Sequence, residues 1–151
     1  MNWQNLAYGL LAIVAGSLFP VQAAINALLA KGIGGSIVAT FVSFTIGWLA
    51  LLLMNVAIFR QFPTVADIAR QPVLVLVVGG VIGAIYVSVN VLLAPKLGSA
   101  ATLCLVIAGQ LIGALAIDRF GLFEFELREL SAGRIIGVVM VFVGALLVRL
   151  A

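Results

Sequence analysis

The sequence contains no histidine, one cysteine (Cys104) and only five acidic residues. A single cysteine excludes a disulfide within the chain. Without histidine or a second thiol, the usual ligand sets for a metal centre are missing too. The apolar runs hold no acid, base or nucleophile that stands out, so no catalytic residue and no cofactor is expected. Charge is the scarcest commodity. Asp, Glu, Lys and Arg make up 9% of 151 residues, against about 25% in a typical soluble domain. So little charge cannot cover a surface facing water. Hydrophobic residues reach 65% and the mean hydropathy is +1.34. The chain therefore reads as an all-α integral membrane protein, with the lipid bilayer as its solvent. Its eight basic residues are scattered singly beside the apolar runs, as topology determinants are, and nucleic acid is not an expected partner.

A membrane-spanning helix needs roughly 20 apolar residues. Five such runs are present, at about 6–30, 34–59, 72–94, 99–117 and 132–150, in one membrane domain covering 1–151. The first is too long for a signal-peptide core and has no Lys or Arg before it, so it is expected to remain as a span. The breaks are KGIGG at 31–35, residues 60–71 with Pro63, Asp67 and Arg70, which read as a short amphipathic piece at the interface, PKLG at 95–98 and DRFGLFEFELRELS at 118–131. Proline at 95 is expected to end the third helix. The longest break alternates Phe120, Phe123 and Phe125 with Glu124, Glu126 and Arg128, a pattern suited to the headgroup region. Reading the spans alternately across the bilayer puts Arg60, Arg70, Arg119, Arg128 and Arg134 on the side of the N-terminus and Lys31, Lys96 and Arg149 on the other. Five against three favours a cytoplasmic N-terminus by a narrow margin, and a margin so narrow permits insertion both ways round.

On a helical wheel of about 100° per residue, the first span carries a stripe of small residues, Gly16, Pro20, Ala23, Ala27 and Ala30, with Gln22 and Asn26 beside it. The second aligns Ser36, Thr40, Ser43 and Gly47. The third aligns Gly79, Gly83, Tyr86 and Asn90, and the fourth aligns Thr102, Gly109 and Gly113 with Gln110 at the edge. The fifth has no polar side chain between Arg134 and Arg149, only Gly133, Gly137 and Gly144. Polar groups in a bilayer are costly and usually face a bundle interior or a watery cavity. Pro20, Gln22, Asn26, Tyr86, Asn90 and Gln110 are thus candidates to line a substrate pathway. The competing reading makes each amide an interhelical hydrogen bond worth ~0.6 to 2 kcal/mol. Pro20 either lets the first helix bend or is a static kink. Asp118 is a candidate coupling or gating group, or else a headgroup-level partner of its neighbour Arg119. Gly133, Gly137 and Gly144 make the fifth span the candidate face for packing against a second copy.

Gly16, Pro20, Gln22 and Asn26 in the first span, APKLG at 94–98 and GQLIGALAIDRFG at 109–121 together resemble the drug/metabolite transporter superfamily. The closest resemblance is to its five-helix, half-size inner-membrane exporters, and it extends over the whole chain. It implies one half-transporter repeat, a bacterial inner (cytoplasmic) membrane location, and a ten-helix working unit made from two halves. The second half would be another copy or a related half-transporter, and spans one, three and four would line the path. The small multidrug exporters of the same superfamily are similar in size but carry a glutamate in the first helix, where this chain has the neutral Gln22 and Asn26. A neutral chamber suits a small polar, neutral or zwitterionic solute better than a lipophilic cation. The alternative reading is a membrane accessory subunit that transports nothing and uses these amides only for packing.

Overall fold

The computed structural model describes residues 3–150. They form helices α1 (Trp3–Ile33), α2 (Ser36–Met54), α3 (Val65–Ala69), α4 (Val73–Leu97), α5 (Ser99–Phe120) and α6 (Ala132–Leu150). No strand occurs among the described residues. Five helices are long and apolar enough to cross a membrane, the second counted with the π-helical turn Asn55–Phe59 that continues it. Lipid offers backbone groups no hydrogen bonds, so a spanning segment must satisfy them internally. Large aliphatic and aromatic side chains project outward along all five, as they do where the surroundings are lipid.

The chain divides into two compact units, one ending at Pro95 and one beginning at Lys96. In the first, α1 packs on α2. The contact of α1 with α4 centres on Ala27, Val87 and Val91, with Ala30 and Tyr86 against them. Phe19 and Tyr86 meet with ring centroids 5.3 Å apart. Small residues make this approach possible: Ala23 and Ala27 of the α1 stripe are buried, and so is Ala39 of α2. In the second unit, α5 and α6 pair as a hairpin.

Two boundaries differ from the sequence expectation. Pro95 does not end its helix, because α4 continues to Leu97. Proline removes one backbone donor and crowds the carbonyl four residues earlier, a disturbance a last turn tolerates. The break comes at Gly98, whose φ of 84° is open mainly to glycine. Asp118 is not in the connection, since α5 continues through it to Phe120 and closes on left-handed Gly121. The segment between α2 and α4 contains α3, capped at Thr64. Its hydroxyl accepts from the Asp67 backbone N–H at 3.2 Å, and Asp67 accepts from the Thr64 hydroxyl at 2.7 Å and backbone N–H at 3.0 Å. Those two bonds from Thr64, the hydroxyl first, hold the Asp67 carboxyl below its ordinary value. The cap is therefore in place at neutral pH and is lost as pH falls through that lowered value.

Gly121 has φ +59°, and a methyl group there would lie 3.1 Å from Leu127 Cγ. Gly121→Ala should cost about 1–2 kcal/mol for the left-handed backbone alone. It should lower the thermal midpoint of the purified protein in detergent, and an unchanged midpoint would show that the α5–α6 turn does not adopt this geometry.

Candidate functional site

In the first unit, Asn26 is 4% exposed and donates from Nδ2 to Ser43 Oγ of α2 at 3.2 Å. Its amide is committed to an interhelical bond. Asn90 of α4 is 3% exposed and donates to the Tyr86 carbonyl of its own helix at 2.7 Å. Buried Thr40 and Thr102 likewise bond back to the carbonyls of Ser36 and Gly98, each at 2.9 Å. Such back-bonding satisfies a hydroxyl within its own helix. Tyr86 is half-buried beside Phe19, and Pro20 is half-buried one residue further on.

Gln22 stands apart from these residues. It is exposed and makes no hydrogen bond to another described residue. By helix rise it lies about 28 Å along α1 from Trp3 and about 17 Å from Ile33. The wheel put Gln22 and Asn26 on one face. The structure buries only Asn26, because α2 covers that side of α1 one turn later. Ser43 belonged to a stripe legible in the sequence, but nothing in the spacing revealed it as Asn26's partner.

In the second unit, Asp118 pairs with Arg134 across the hairpin, Oδ2 to Nη2 at 2.5 Å. Arg119 is exposed and is not the partner. Neighbouring residues on a helix point about 100° apart, so Asp118 turns toward α6 while Arg119 turns away. The Arg128 backbone N–H donates to the Asp118 carbonyl at 2.9 Å, fastening the connection to the same turn. Arg134 Nη1 is buried with no partner among the described residues. Beside the pair lies a cavity of about 390 Å³, with Leu111 and Leu115 on one wall and Val138 and Val141 on the other. Gln110 is exposed on α5. A methyl group added at Gly133, Gly137 or Gly144 would meet nothing within 4 Å, so these glycines bring no helix close within the chain.

Residues 7–147 match the family described as "Putative inner membrane exporter, YdcZ". The chain belongs to this family. It is accordingly a multi-pass inner-membrane protein of the transporter class, in keeping with its five spanning helices. Comparison with curated proteins and with solved structures found no match. No group of three or more His, Cys, Asp or Glu able to hold a metal occurs among the described residues.

The Asn26–Ser43 bond can be weighed with Asn26→Leu, Ser43→Ala and the double variant. A coupling of about 0.6 kcal/mol is expected, the average for interhelical bonds in membranes. Unfolding in detergent reads it, and zero coupling would show that the bond does not form.

Proposed function

We propose that the chain is a half-transporter that exports a small polar, neutral or zwitterionic solute as an antiparallel pair of copies. The observation that carries this reading is Gln22. An amide deep in a spanning helix, exposed and with no partner among the described residues, is expensive in hydrocarbon. A water-filled or solute-filled chamber completed by a second copy removes that cost. The ten-helix unit then holds two such amides, one from each half. Inverted repeats around a midplane site are a common transporter architecture, and the near balance of basic residues between the two sides lets one sequence supply both orientations.

In this reading Gln22, Tyr86 and Gln110 face the solute, and Pro20 frees a backbone carbonyl one turn before it, on Gly16. Asn26 and Asn90 serve mainly as the frame that holds α1, α2 and α4 in place. The candidate lining residues carry no carboxylate, amine or guanidinium, which selects against a cargo of net charge. Asp118 acts as a gate through its pair with Arg134, holding the α5–α6 hairpin shut at its connected end. The open faces at Gly133, Gly137 and Gly144 give the second copy a surface it can approach closely.

Untargeted mass spectrometry of the medium around cells overproducing the protein tests the pathway. Compounds that accumulate with the wild-type chain should fall to the level of an empty vector with Gln22→Leu, at unchanged membrane abundance. Full export by Gln22→Leu would remove Gln22 from the pathway and favour the accessory-subunit reading. A C-terminal reporter that distinguishes cytoplasm from periplasm should give signal on both sides. Signal on one side alone would exclude the antiparallel homodimer and point to a related half of opposite orientation. Asp118→Asn should change export several-fold without loss of folded protein, and an unaltered rate would dismiss it as a gate.

A further inference from the structure

Five consecutive crossings sort the charges more sharply than the basic count alone shows. Asp67 lies in α3, Asp118 near the end of α5, and Glu124, Glu126 and Glu129 in the connection to α6. With the spans read alternately across the bilayer, all five acids fall on the side of the N-terminus, together with Arg60, Arg70, Arg119, Arg128 and Arg134. Lys31, Lys96 and Arg149 occupy the last turns of α1, α4 and α6 and fall in that reading on the other side, which has no acidic side chain. The chain's only two lysines are among these three cations. Glu124, Glu126 and Glu129 are exposed, as are Lys31 and Lys96. Among the described residues the one ion pair is Asp118–Arg134, so none of these five side chains is ion-paired with another described residue.

In the connection, Phe123 and Glu124 hold left-handed backbone, φ 58° and 65°, and the chain leaves them in extended form at Phe125.

In a parallel pair, the acid-free end of each copy would stand beside the acid-free end of the other, cation against cation. In an antiparallel pair, the acidic connection of each copy stands at the same membrane level as its partner's acid-free end. We propose that Glu124, Glu126 and Glu129 of one copy dock against Lys31 and Lys96 of a second, inverted copy, twice per pair. Complementary charge of this kind chooses orientation and register more than it adds affinity. Like charges set side by side oppose the parallel alternative. This inference rests on the antiparallel pairing proposed above, and adds to it the surface that selects it.

The charge distribution supplies an unusually clean test. In the alternating topology every side-chain carboxylate is separated from both lysines by the roughly 30 Å of hydrocarbon, within one chain and within a parallel pair alike. A water-soluble carbodiimide joins a carboxylate to an amine directly, forming an amide with loss of water. It can couple a side-chain carboxylate of this protein to Lys31 or Lys96 only between inverted copies in contact. The protein is prepared as a mixture of ¹⁴N and ¹⁵N copies, reconstituted in lipid nanodiscs and treated with the carbodiimide. Mass spectrometry should find peptides joining the 124–129 segment to Lys31 or Lys96, with mixed-isotope pairs among them. Glu124→Gln/Glu126→Gln/Glu129→Gln, which leaves every Lys and Arg in place, should remove them and reduce the dimer fraction several-fold.

Cross-links from Asp67 or Asp118 in place of the glutamates would overturn the assignment to this connection. A C-terminal reporter seen on both sides of the membrane, with no acid–lysine amide at all, would overturn the docking surface while leaving the antiparallel pair standing. A reporter seen on one side only would overturn both.

Discussion

Lipid solvates neither a backbone amide nor a side-chain amide, and the structure depends on that constraint. It makes every spanning segment helical, because only a helix closes its own backbone hydrogen bonds. It also requires an answer for each polar side chain within the spans. Asn26 finds Ser43, Asn90 finds a carbonyl of its own helix, and Thr40 and Thr102 do the same. Gln22 has no such bond. A frame in which Asn26 is satisfied singles out the exposed Gln22 one turn earlier, which the proposed pathway uses as its hydrogen-bonding group.

The same constraint explains how little the chain buries. Among the described residues, every buried apolar one is an alanine or a valine. Helices in lipid gain little from hiding large apolar side chains from one another, because lipid tails are equally apolar. Close approach of small residues and a few hydrogen bonds hold them instead. The Ala27–Val87–Val91 cluster with Phe19 and Tyr86 alongside is contact of that kind. The Asp118–Arg134 pair is the polar counterpart in the second unit, closing a hairpin at the level where helix meets connection.

Charge does its work outside the hydrocarbon. With the spans read alternately across the bilayer, the acids lie with one set of helix ends and the lysines with the opposite set. In the antiparallel pair proposed above, this distribution, which counts for little inside one copy, selects the orientation of the second, with the basic count permitting both orientations and the acids favouring their union.

Much of this was legible in the sequence. Scarce charge and five apolar runs determined an all-helical membrane protein, because lipid leaves a chain of this composition no other regular structure. The first-span pattern of Gly16, Pro20, Gln22 and Asn26, with the APKLG and GQLIGALAIDRFG segments, carried the family. Helix ends were less legible. Proline at 95 signals a break by its chemistry, yet the break came at Gly98, because a last turn tolerates one missing donor. The tertiary structure alone decided which polar groups found partners. Wheel geometry places Gln22 and Asn26 on one face, but the position of α2 along α1 covers only Asn26. Adjacency in sequence pairs Asp118 with Arg119, but the turn of the helix and the return of α6 bring Arg134 instead. Local spacing sets the direction in which a side chain points, and only the packed chain supplies what it meets there.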